Sequence, residues 1–193
     1  MIAGVVLAAG SSSRFGGQKL LALLDGTPLV RWSVEALLEA GIAEVVVVLG
    51  RDAAEVRAAL AGLPVRCVTN AAYAQGLSGS LRAGVMALDD AAGAAVLALG
   101  DQPRVGAAVV RTLCDAYRAT GSPIVVPVYQ GVRGNPVLVD RSLFGELLAV
   151  TGDEGARGVI ARDPARVHRV ELPYAMPADV DTRADLERLS DRR

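Results

Sequence analysis

The stretch LAAGSSSRFGGQK, Leu7 to Lys19, decides how this chain is read. It follows an apolar run of strand length, Ile2–Leu7, and is rich in Gly and Ser. A Gly-rich loop between a first buried strand and a following helix holds phosphate well. Its backbone N–H groups point inward and let the ligand approach closely. The loop ends on Lys19, the one lysine in a chain that otherwise uses arginine, nineteen times, for positive charge.

Working outward, apolar runs of strand length alternate with helical patterns. Thr27 and Pro28 read as an N-cap and first-turn proline of a helix ending near Gly41. Glu44–Leu49 (EVVVVL) is a second buried strand, followed by a helix from about Asp52 to Ala61. Val65–Val68 makes a third strand, Gly79–Leu88 a helix, and Ala94–Leu99 a fourth strand. After GDQP, Gly100–Pro103, comes a helix to about Thr120 and then the strand Pro123–Pro127.

This order predicts an α/β fold: a three-layer α/β/α, Rossmann-like arrangement with a mainly parallel sheet. Beyond Val128 the regularity loosens. The Gly/Pro-rich YQGVRGNPVLV leads to a helical piece from Asp140, then TGDEGARGVIARD, a strand Arg166–Leu172 and a last helix opened by Thr182. The expectation is one domain over 1–193, with a nucleotide-binding half, 1–127, and an acceptor-binding half, 128–193.

Composition narrows the function classes. A net charge of −1 gives no reason to expect nucleic acid or an anionic membrane as partner. Cys67 and Cys114 have no metal-ligand spacing and read as small core residues in a reducing compartment. No apolar run approaches the roughly 20 residues of a membrane span, and the expected location is cytoplasmic. The only histidine, His168, lies in the strand VHRVEL, which weakens any Ser–His–Asp or Cys–His hydrolase reading.

The first loop fails two familiar tests. Lys19 is preceded by Gln18 and followed by Leu20, so a Walker A hydroxyl is missing. Ser12 stands where a dinucleotide fingerprint needs its second glycine, and the second strand ends Leu49-Gly50 without an acid. What remains is a phosphate-shaped loop bearing two cations. Arg14 supplies a planar fork suited to phosphate oxygens, and Lys19 a compact charge that follows a developing one.

Asp101, directly after a buried strand, reads either as a Mg²⁺ ligand or as a turn residue capping a helix at Val105. One carboxylate with triphosphate oxygens suffices for Mg²⁺. In ADVDT, Ala178–Thr182, Asp181 is favoured as a second metal ligand, with a turn or cap role open for Asp179 and Asp181. Transfer onto a phosphate acceptor needs no protein base, because the attacking oxygen is already ionised.

LAAGSSSRFGGQK, NAAYAQGLSGSLRAG and GDQP, followed by RGNPVL, TGDEGAR and DVDTRADL, resemble the molybdenum cofactor nucleotidyltransferases, in particular the cytidylyltransferase branch. The resemblance runs in order over nearly the whole chain. It implies a nucleotidyltransferase fold, related to the GT-A type, that couples CTP (or GTP) with Mg²⁺ to the terminal phosphate of molybdopterin and releases pyrophosphate. A molybdoenzyme or its chaperone would receive the product.

Carried over, Arg14, Lys19 and Asp101 would be catalytic. Leu7, Ala8, Ala9, Gly10, Ser11, Asn70, Gly76 and Ser80 would line the nucleotide, with Gly76 allowing its close approach. Gln102, Gly134, Asn135, Pro136, Asp153 and Gly155 would face the pterin, and Asp101 with Asp181 would hold the metal. A methyl on Ala9 would narrow the base pocket toward a pyrimidine, a discrimination of about 1–3 kcal/mol. The family often has histidine where Asn135 stands, a departure at the acceptor contact. Methylerythritol-phosphate cytidylyltransferase shares the first loop, but its His-Asp-Ala-Ala-Arg-Pro segment is replaced here by GDQP. Other readings are a different phosphorylated acceptor, a non-catalytic nucleotide-binding module that delivers cofactor, and an NAD(P)-dependent oxidoreductase.

Overall fold

The computed structural model describes residues 1–10 and 14–191. Its centre is an eight-stranded sheet. The strands are β1 (Ile2–Ala8), β4 (Val45–Leu49), β5 (Arg66–Thr69), β6 (Ala94–Leu99), β7 (Ile124–Tyr129), β8 (Val132–Arg133), β9 (Val137–Asp140) and β10 (Val167–Leu172). A separate hairpin pairs β2 (Leu23–Leu24) with β3 (Thr27–Pro28). The main order is β10-β7-β9-β6-β1-β4-β5, with β8 paired to β7. β1 lies parallel to β4 and β6, β4 to β5, and β10 to β7, while β9 runs antiparallel between β6 and β7.

The two-residue period of a strand sends alternate side chains to opposite faces. Val6, Ala8, Val47, Leu49 and Val96 point to one face. There they meet α1 (Leu29–Glu39), α2 (Ala53–Ala59) and α4 (Ala107–Thr120) through Val34, Leu37, Val56, Val110 and Leu113. Val5, Val48, Ala95, Leu97 and Val126 point to the other. They meet α3 (Leu77–Met86), α5 (Phe144–Leu148) and α6 (Ala156–Arg162) through Leu81, Val85, Leu147 and Ile160. Strands buried on both faces need continuous apolar sequence, which is why EVVVVL and AAVLAL carry no polar interruption. The three-layer α/β/α arrangement with a mainly parallel sheet expected from the sequence is the one observed.

A small third core lies apart from the sheet. Phe15, Leu24, Leu29, Val180 and Leu189 pack together, with Trp32 and Leu186 against them. It ties the first loop to α7 (Arg183–Ser190), the helix that Thr182 caps. Among the described residues no helix is long and apolar enough to cross a membrane.

Several local expectations need correction. Thr27 does not cap α1: it pairs with Leu24, and the helix begins at Leu29 without a side-chain cap bond. The reason was legible in Asp25-Gly26, both at positive φ (53° and 79°), the dipeptide of a two-residue hairpin turn. α3 begins at Leu77 rather than Gly79. Asp101 does not cap the following helix, which opens at Ala107 after Gly106. YQGVRGNPVLV is not loose: it supplies β8 and β9.

Candidate active site

The first loop, the turn after β6 and the entry to α7 converge at the carboxyl ends of the strands, where open α/β sheets bind ligands. Lys19 sits in a single 3₁₀ turn, Lys19–Leu21, whose Leu20 is buried in the core. Gln18 caps that turn by accepting from the Leu20 N–H and anchors it by donating to the Arg51 carbonyl. So fixed, Lys19 Nζ donates to Asp101 Oδ2 at 2.7 Å and to Asp181 Oδ1 at 3.1 Å. Arg14 pairs with the other oxygen of Asp181 at 2.9 Å.

The third core explains how residues 14 and 181 meet. Phe15 follows Arg14 and Val180 precedes Asp181, and both are buried in that core. Arg183 adds a cation–π contact over Phe15, its guanidinium carbon 5.4 Å from the ring centroid. The Val180 N–H donates to the Asp101 carbonyl at 3.0 Å, joining the two acidic turns directly. Asp185 then fixes the backbone at Asp181. Its Oδ2 accepts from the N–H groups of Asp181 and Thr182, at 3.1 and 2.7 Å, and from the Thr182 hydroxyl. The Thr182–Asp185 capping box holds that carboxyl down, to about 2.

Lys19 is only 8% exposed. Burial alone pulls its ammonium pKa down, but the Asp101 and Asp181 carboxylates more than reverse this, leaving it raised and the group charged. The Asp179 carboxyl is also raised, but there the shift disfavours the charged form: burial first, then the nearby Asp101 and Asp181 charges, raise it against the lowering bond from Gln102.

Two cavities open from this cluster. The larger, about 720 Å³, is lined by Leu7, Ala8, Ala9, Gly10, Arg14 and Lys19, with Gly76, Ser80, Asp101, Asp153 and Asp181 completing its wall. Its size suits a nucleoside triphosphate. The other, about 320 Å³, has Gln102, Gly134 and Asn135 on its wall. Leu7, Leu77, Leu99, Arg157 and Asp179 line both.

Most candidate residues from the sequence are thus brought together. Asn70 is not on the wall: it is buried behind it and donates to Ser80 Oγ at 3.0 Å. Gly76 is a glycine because of its own chain. At φ +112° a Cβ there would lie 2.7 Å from the Gly152 carbonyl oxygen, so the close approach is to backbone. Gly155 packs on Leu77, Pro136 is buried, and Asp153 faces the larger cavity rather than the smaller. Ser11 lies outside the described residues. The cysteines are free and burial raises both thiols, in line with core roles. Asp185, Arg133 and Arg157 were missed. Only Asp185 left a trace, as the N3 acid of a Thr-x-x-Asp cap.

The acidic pair fits a divalent cation. Two carboxylates, one from each turn, already share a single cationic centre, with Lys19 Nζ standing where positive charge is called for. Among the described residues no group of three or more His, Cys, Asp or Glu side chains forms a metal cage. Such a site suits a hard ion that takes its remaining ligands from phosphate and water.

Comparison with known proteins agrees with this geometry. The model of the MobA-like NTP transferase domain matches residues 4–169. Nicotine blue oxidoreductase of Paenarthrobacter nicotinovorans is 33% identical over 97% of this chain and 96% of its own. A probable molybdenum cofactor guanylyltransferase of Thermococcus gammatolerans is 32% identical over 66% of this chain and 62% of its own. Rv0371c of Mycobacterium tuberculosis, whose structure has also been solved in complex with manganese, superposes with a TM-score of 0.88 at 34% identity, covering 98% of this chain and 97% of that one. The chain belongs to the MobA-like NTP transferase family and is a nucleotidyltransferase.

Proposed function

We propose that this MobA-like NTP transferase moves CMP from CTP to the terminal phosphate of molybdopterin, releasing pyrophosphate. One observation carries the reading: Lys19, Asp101 and Asp181 meet on the wall of a nucleotide-sized cleft that shares a side with a second cavity of mixed polar and apolar lining. Two substrates seated in adjoining cavities meet at that shared wall, which is the arrangement group transfer requires.

An ionised oxygen of the acceptor phosphate attacks the α-phosphorus of the nucleotide. A new P–O bond forms as the bond to the bridging oxygen of pyrophosphate breaks, and that oxygen leaves with the electron pair. No proton moves, so no side-chain base is needed. Lys19 supplies positive charge where the negative charge grows, and its pKa keeps it charged throughout the neutral range. Arg14, whose side chain is 74% exposed, has room to leave Asp181 for the β- and γ-phosphates. Asp101 and Asp181 would hold Mg²⁺, which supplies charge neutralisation across the triphosphate.

The preference for cytosine rests on Ala9. Gly50 backs it so closely that a Cβ at position 50 would lie 2.7 Å from the Ala9 carbonyl oxygen. That wall cannot retreat to admit a larger base.

The test is calorimetric binding of CTP, GTP and NADPH, with Mg²⁺ and with EDTA, to wild type and Asp101→Ala. Tight CTP binding that needs both Mg²⁺ and Asp101 is expected, with pyrophosphate release on adding molybdopterin. Preference for GTP, the nucleotide in the name of the Thermococcus relative, would overturn the reading of Ala9. Binding of NADPH alone would favour the chemistry in the name of the Paenarthrobacter relative.

A further inference from the structure

Arginine is the chain's general cation, and nearly every described arginine is committed. Each bonds a carboxylate or a carbonyl or, like Arg183, lies over an aromatic ring. Arg133 and Arg157 are the exceptions: among the described residues neither makes a side-chain hydrogen bond, an ion pair or a ring contact. Both line the 320 Å³ cavity. Two guanidiniums left unpaired in a chain of net charge −1, and facing one cavity, are explained by an anion that completes them.

Their placement differs. Arg157, on α6, lies where the cavity adjoins the nucleotide cleft, and lines both. Arg133, at the end of β8, lines the acceptor cavity but not the nucleotide cleft. The acidic lining does not neutralise them. Asp179 is tied to Gln102, and Glu154 Oε2 is folded against Gly158, so near that a Cβ there would lie 2.6 Å away.

Leu7, Leu81, Leu97, Leu99 and Ile160 are among the apolar residues that line the same cavity. Apart from those charged groups, Gln102 and Asn135 supply its polar side chains.

We propose that Arg157 and Arg133 form the anion clamp of the acceptor cavity, with Arg157 holding the attacking phosphate at the shared wall. The inference rests on the transferase reading above, and it adds the two residues that hold the acceptor's phosphate.

The test is titration of phenyl phosphate, glucose 6-phosphate and inorganic phosphate into wild type, Arg157→Ala and Arg133→Ala, followed by ³¹P NMR. Thermal unfolding is run alongside; both side chains are exposed, so unfolding should be unchanged. Arg157→Ala should weaken all three about tenfold or more, the loss expected for a charge-assisted bond, and Arg133→Ala should weaken them about three- to tenfold. Phosphate binding indifferent to Arg133 would put the anion in the nucleotide cleft and overturn the clamp. CTP binding to wild type, measured in parallel, separates the two readings: a protein that ignores CTP but loses phenyl phosphate with either arginine keeps the clamp and loses the cytidylyltransferase.

Discussion

Replacing Lys19 by methionine removes one charge from the centre of the site and leaves a side chain of similar length. The wild-type ammonium makes two charge-assisted bonds, to Asp101 at 2.7 Å and Asp181 at 3.1 Å. Bonds of that kind contribute about 1.5–3 kcal/mol each when buried. The Asp181 side chain is 36% exposed and keeps Arg14, so its share falls to the roughly 0–1 kcal/mol of a surface pair. Some desolvation cost of the ammonium is also recovered. The net expectation in EDTA is a loss of about 1–3 kcal/mol, and a chain of this size loses about 2–4 °C in Tm for each kcal/mol.

Manganese should then act more strongly on the variant than on wild type. A unit charge about 4 Å away at an effective dielectric of about 20 opposes an incoming divalent cation by roughly 8 kcal/mol, which water at this half-open site and movement of the ammonium aside reduce to about 1–3. Lys19→Met should therefore bind Mn²⁺ about ten- to a hundredfold more tightly without nucleotide, read by electron paramagnetic resonance. It should also recover more of its lost Tm on adding Mn²⁺. A variant whose Mn²⁺ affinity is unchanged or weaker would refute the idea that the ammonium occupies a cation position between the two carboxylates.

Two further perturbations probe the supports of the site. Asp185 has its carboxyl lowered to about 2, first by its bonds to Thr182, so its support for the start of α7 is complete above the ordinary value near 3.8. That support is lost as the pH falls through about 2. The Asp181 and Thr182 amide resonances should shift together over that interval in wild type, and Asp185→Asn should already show displaced resonances at pH 5; unmoved amides would exclude the positioning role. Gly76→Ala puts a Cβ against the Gly152 carbonyl at a φ that disfavours side chains, costing about 1–3 kcal/mol. It should lower Tm and weaken CTP binding together, and an intact Tm would mean that the two loops part freely.

The legible parts of this protein were those in which local sequence and global position coincide. A Gly/Ser loop after an apolar strand, and an acid directly after another, announce the carboxyl edge of a parallel sheet, so Lys19 and Asp101 could be placed before any fold was known. Asp181 was only half legible. Its carboxylate reaches the site because Val180 and Leu189 pack against Phe15 and Leu24, a contact across most of the chain that no periodicity reveals. β9 was missed because it is short and sits beside Gly134 and Pro136, residues that read as a turn although Val137–Val139 are buried in mid-sheet. Arg133 and Arg157 had no signal at all. In a chain with nineteen arginines, what sets them apart is the absence of a partner among the described residues, a property of three dimensions only.

The lone lysine follows from the same geometry. Leu20 in the core and Gln18 on the Arg51 carbonyl fix the Lys19 backbone, so the side chain has one approach to the acidic pair. Its head must then donate to one carboxylate at 2.7 Å and to another at 3.1 Å, with almost no exposure left. An ammonium meets both as a small point charge with three rotatable donors. A planar guanidinium presents its donors in one plane and carries extra width into a buried site. Arg14 faces the same Asp181 from the solvent side, where a fork has room. Position within the cleft, rather than charge, thus decides which cation stands where, and Lys19→Arg should damage turnover more than nucleotide affinity, because it keeps the charge and loses the place from which that charge acts.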